Sequence, residues 1–79
     1  MLRLHASLDA RREPEFATLL RDLEGVRRVV RQPDESASAG QTVFVADVEA
    51  SAADELVEAI IAMGISVEDY LLTRVEAVA

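Results

Sequence analysis

The stretch from Gln41 to Ile65, QTVFVADVEASAADELVEAIIAMGI, constrains the fold more than any other part of the chain. Thr42, Val43, Phe44, Val45 and Ala46 form an unbroken apolar run, β-branched and aromatic, of the length expected for a central strand with both faces largely covered. Asp47 to Ala50 leads out of it. Ser51 stands three residues before Asp54, a near relative of the capping box, in which the hydroxyl accepts from a free backbone N–H and the carboxylate complements the positive helix end. A helix is expected to begin there. Ala53, Leu56, Val57, Ile60 and Ile61 recur at spacings of three and four as one apolar stripe, with Asp54, Glu55 and Glu58 off it, and Gly64 is expected to end the helix in the left-handed conformation. Such a unit cannot bury its own surfaces, so the remaining residues must supply its partners.

They do so in a recognisable order. Leu2, Leu4 and Ala6 alternate with Arg3, His5 and Ser7, the period-two pattern of a strand with one buried face. Leu8 to Arg12 is expected to turn. Pro14 suits a first helical turn, where its missing N–H costs nothing, and Phe16, Leu19, Leu20 and Leu23 follow at helical spacing until Gly25. Val26 to Arg31 is β-prone and Pro33 terminates it. Pro33 to Gly40, PDESASAG, is small, polar and aperiodic, the composition of a hairpin connection that should be the most mobile part of the chain. Ile65 to Asp69 is a connector, and Tyr70 to Val75 reads as a fourth strand fraying towards Ala79.

The order β-α-β-β-α-β, wound with right-handed crossovers, predicts a single α+β domain over residues 1–79 with a ferredoxin-like fold. Its sheet is four-stranded and antiparallel, with both helices on one face. The other face is then uncovered. On the first strand it should carry Arg3 and His5. On the third it carries either Thr42, Phe44 and Ala46 or Val43 and Val45, both sets apolar, which points to a partner surface. Arg3, His5 and Phe44 are the candidate interface residues. A domain of 79 residues buries only about 60% of its unfolded surface, which adds a reason to self-associate.

Charge and composition exclude several functions. Seven arginines balance seven carboxylates in residues 1–40, whereas from Gln41 onward Arg74 stands against eight carboxylates, so the whole net charge of −7 lies in the second half. That half repels a phosphate backbone, and no basic run or aromatic ladder offsets it, so nucleic-acid binding is not expected. No segment approaches the roughly 20 apolar residues of a membrane span, and MLRLHASLDARR lacks the apolar core of a secretory signal. A cytoplasmic chain is expected, without membrane insertion of its own.

Chemistry is sparse. With one histidine and no cysteine, catalytic triads, Cys-His dyads, disulfides, thiolate metal sites and histidine clusters are unavailable. Asp54, Glu55 and Glu58 read as a solvated helix face, not a cation site, and the arginines at 27, 28 and 31 as edge charges that discourage aggregation. Asp47 is expected to help the turn before Ser51. Arg11 and Arg12, between a strand end and a helix start, are the one candidate site for a small anionic ligand. The chain has no asparagine for acylphosphatase chemistry, no Cys-x-x-Cys pair for copper transfer and no aromatic pair for an RNA-binding sheet. No enzyme activity, cofactor or metal is expected.

Taken together, MLRLH, LEGVRRVV, VADVEASAADELVEAI, MGI and LTRVEAV resemble the N-terminal hydrophilic domain of the bacterial "uncharacterised hydrophobic domain" membrane proteins, domain of unknown function three-eight-nine. These segments span nearly the whole chain. In that family several apolar spans follow such a domain, so the resemblance implies a cytoplasmic accessory domain of a membrane protein, partnered by the adjoining membrane domain or by another copy. It implies no activity and no functional residue. Ligand-sensing domains of similar, ACT-like architecture extend the expectation to a regulatory role, by analogy of fold alone.

Overall fold

The computed structural model describes residues 1–33 and 40–75. Strand β1 (Leu2–Asp9) leads through a 3₁₀ turn (Ala10–Arg12) into helix α1 (Glu13–Asp22), and β2 (Val26–Pro33) is followed by β3 (Gln41–Val48). A second 3₁₀ turn (Ala50–Ala52) opens helix α2 (Ala53–Ala62), and a third (Val67–Asp69) precedes β4 (Tyr70–Arg74). The strands form one antiparallel sheet in the order β2-β3-β1-β4. This is the ferredoxin-like α+β arrangement. Residues 34–39 of the expected mobile connection, and residues 76–79, towards which the fourth strand is expected to fray, lie outside the described residues.

Strand parity decides what is buried. Leu4, Ala6 and Leu8 of β1 and Thr42, Phe44, Ala46 and Val48 of β3 turn towards the helices and are at most 8% exposed. Phe16 and Leu20 of α1, and Leu56 and Ile60 of α2, meet them. The rings of Phe16 and Phe44 lie 5.0 Å apart, edge to face. Ile61, expected on the α2 stripe, is 61% exposed, because it lies at the margin of the stripe, beyond the sheet.

The ends of α2 differ from each other. The expected Ser51 cap is absent: the helix enters through its 3₁₀ turn, with Ala52 in the N-cap position and no side-chain cap. Its C-terminus is fully closed. Gly64, at φ +79°, donates to the Ile61 carbonyl, and Ile65 donates to Ile60, the two bonds of a Schellman motif, with Ile60 and Ile65 both buried. At the opposite end of the sheet Gly25, at φ +88°, receives the Glu49 N–H at 2.8 Å, and its missing Cβ leaves room for Ala52.

β2 carries one extra residue. Arg27 pairs with Asp47 and Val30 with Val45, so three steps on β2 oppose two on β3. Within this bulge Arg28 holds φ 54°, a left-handed conformation costly for a residue with a Cβ.

Candidate functional site

The uncovered sheet face is built by the residues that alternate with the core. From β1 it takes Arg3, His5 and Ser7, from β3 Val43, Val45 and Asp47, from β2 Arg27, Val30 and Gln32, and from β4 Leu71 and Thr73. The registers place Val30 beside Val45, Val45 beside His5 and His5 beside Leu71, so one row crosses all four strands. It is apolar except for the imidazole. Val30 is 54% and Leu71 58% exposed, and His5 is also exposed.

The expected interface trio is therefore corrected in one member. Arg3 and His5 lie on the open face, but Phe44 is fully buried against Phe16, and Val43 and Val45 take its place. The reason is strand parity: Phe44 opposes Ala6, whose side chain is in the core, and cross-strand partners share a face.

A charge cluster borders the row on one side. Asp47, its side chain only 10% exposed, lies 3.4 Å from Arg3 Nε and 3.8 Å from Arg28 Nε. Asp47 therefore ties three strands together across the open face and is not a cap for the turn before Ser51. Arg27 reaches past it to Glu49 at 2.8 Å. The bulge makes this possible, since it aims two successive arginines at two different carboxylates. Arg31, on the helix side, pairs with Glu13, which also accepts from the Thr42 hydroxyl at 3.2 Å. Arginines 27, 28 and 31 thus have structural partners on β3, beyond it and on α1.

Arg11 and Arg12 do not converge. Arg11 folds back on Asp9, Nη2 to Oδ2 3.1 Å, while Asp9 Oδ1 caps the 3₁₀ turn by accepting from the Arg11 backbone N–H at 2.9 Å. The side-chain hydrogen bond from Arg11, then that from its backbone, holds the Asp9 carboxyl below its usual range, and the same side-chain bond raises the guanidinium. Arg12 turns the other way and donates to the Met63 carbonyl, where a cation complements the C-terminal end of α2. Arg12 also lines a cleft of about 310 Å³ with Asp9, Asp69 and Ser66, so the cleft adds two carboxylates to its one guanidinium. Such a lining disfavours an anion. Among the described residues no group of three or more metal-ligating side chains is gathered, and no helix is long and apolar enough to cross a membrane.

The row on the open face escaped sequence reading because it needs the cross-strand register, to which β2 contributes through a bulge with no glycine to mark it. Comparison with family models, curated proteins and solved structures finds no match, so the family resemblance rests on the quoted segments alone.

Proposed function

We propose that this chain is a non-enzymatic interaction module that pairs with a second copy of itself through the open sheet face, acting as a regulatory, cytoplasmic accessory domain of a multi-span membrane protein. The observation that carries the pairing is the uncovered row Val30, Val45, His5 and Leu71. The membrane context comes from the sequence resemblance.

Charge and symmetry favour a second copy as the occupant. The net charge is −7, yet little charge is left on the open face, where Asp47 stands against Arg3 and Arg28, a local excess of one cation. The exposed carboxylates of α2, Asp54, Glu55 and Glu58, belong to the helix side of the sheet. Two copies therefore meet least repulsion face to face. Rotating one copy by half a turn about an axis along the strands, between β1 and β3, sets β1 over the other copy's β3 and β4 over its β2. Arg3 then faces the second copy's Asp47, His5 faces Val45 and Leu71 faces Val30, a self-complementary, two-fold pairing of the kind that closes dimers. Four strands spaced about 4.8 Å apart and some seven residues long offer roughly 450 Å² per copy, at the small end of specific interfaces, so association at micromolar concentration is expected.

Sedimentation equilibrium from about 5 to 200 micromolar tests this. A concentration-dependent dimer that Val45→Asp converts to a folded monomer supports the reading. A wild-type chain that stays monomeric throughout refutes it.

A further inference from the structure

We propose that His5 makes this pairing pH-dependent, so that the face is joined at neutral pH and released under mild acid. The inference rests on the face-to-face reading and specifies its regulation.

His5 is the single histidine of the chain, and it occupies the middle of the one apolar row. On the free face it is exposed to water, where either protonation state is solvated. In the two-fold pair it lies between Val45 and Leu71 of its own sheet and under Val45 of the other. Transfer of an imidazole from water to an apolar contact favours its neutral form over the charged one.

The charged neighbours add to the effect. On β1 the residue two places away on the same face is Arg3, a cation. From β4 the facing residues are Leu71 and Thr73, without charge, and from β2 the row contributes Val30, with the cations Arg27 and Arg28 beyond it beside Asp47. Among the described residues the nearest carboxylate across the strand pair is Asp47 on β3, diagonal to His5 and already held by Arg3 and Arg28, and the exposed Asp69 lies before β4, where it lines a cleft with Ser7. An imidazolium at position 5 thus meets a cation beside it and apolar surface above it, while its diagonal carboxylate on β3 is already paired. The dimer binds the neutral form better, so pairing is complete above the imidazole's titration range and is lost as pH falls through it. Because the pair contains two copies of His5, the effect enters twice.

The experiment is sedimentation equilibrium at pH 7.5 and pH 5.5 on wild type and His5→Leu, with circular dichroism at both pH values to confirm folding. The expected result is a wild-type dissociation constant at least tenfold weaker at pH 5.5, and a His5→Leu dimer whose constant is the same at both. His5→Leu also subtracts any contribution of the terminal amine. A wild-type dimer of equal strength at both pH values overturns the role of His5 while leaving the pairing intact. A pH dependence that persists in His5→Leu overturns it as well. A wild-type monomer at pH 7.5 overturns the pairing itself, and a chain unfolded at pH 5.5 overturns the switch in favour of acid lability.

Discussion

Gly25→Ala should be far more damaging than Gly64→Ala, although both replace a glycine of positive φ just beyond a helix. The two sites have φ +88° and +79°, so alanine suffers nearly the same backbone strain at each. That strain is about 1–2 kcal/mol, offset by about 0.4–1 kcal/mol from the stiffer unfolded chain, leaving a loss of roughly 0.5–1.5 kcal/mol. At Gly64 nothing lies within 4 Å of the new Cβ, and the loss stops there. At Gly25 the new Cβ would meet the Ala52 Cβ at 3.0 Å and the Glu49 Cβ at 3.4 Å. Both neighbours are pinned, Ala52 by burial at the entrance to α2 and Glu49 by its N–H bond to Gly25 itself. Overpacking of this kind adds about 1–3 kcal/mol, for a total near 2–4 kcal/mol. A domain of this length has about 4–12 kcal/mol in all, and each kcal/mol moves the melting temperature by about 4–8 °C. Urea and thermal denaturation followed by far-ultraviolet circular dichroism should therefore show Gly25→Ala melting about 10–25 °C below wild type and Gly64→Ala about 3–10 °C below. Adding Ala52→Gly should recover part of the Gly25→Ala loss, with a coupling of about 1 kcal/mol. Equal losses at the two glycines, or zero coupling, would show that the approach of β2 to the α2 entrance is not tight and would refute the reasoning.

Two further perturbations follow from the same structure. Phe44→Ala should cost about 3–5 kcal/mol and bring the domain close to unfolding, whereas Val45→Ala, one residue along, should cost about 1 kcal/mol or less while weakening self-association; denaturant midpoints and sedimentation read the two effects separately, and similar stability losses at both positions would contradict the assigned strand parity. Arg28→Gly should leave stability unchanged or raise it by about 1 kcal/mol, because relief of the left-handed conformation outweighs an exposed ion pair worth at most about 1 kcal/mol; a clear loss in urea denaturation would show that the bulge depends on the arginine side chain.

The elements were legible where one local rule dominated. Alternation in Leu2 to Ser7, the proline of α1 and the glycines after both helices each specify a backbone state without help from elsewhere, and together they yield the topology. What was not legible depended on which face of an element meets another. Val43, Phe44 and Val45 are all apolar, so the strand itself carries no parity signal; it is the Phe16 ring on α1 and the Leu4 and Ala6 side chains on β1 that select Phe44 for the core. Ser51 and Asp54 satisfy a capping pattern, yet the chain turns through Ala50–Ala52 and leaves the hydroxyl unused as a cap. Arg28 has the least readable role, since nothing in an arginine announces a positive φ. The site suffered most from this, because the open-face row is a property of register and not of any single strand.

Pairing of β1 with β4 also sets an order of events. Leu2–Ala6 has β3 on one side and Tyr70–Arg74 on the other, and the Val75 N–H bonds back to the Met1 carbonyl at 3.0 Å. β1, the first of the four strands to be made, therefore keeps one edge open until the last of them, β4, has emerged. That edge runs along alternating Leu2, Leu4 and Ala6, a ready template for strands of other chains. A product shortened before Tyr70 would retain both helices and three strands yet present this edge permanently, so loss of five residues from the sheet's margin exposes the strand at its centre.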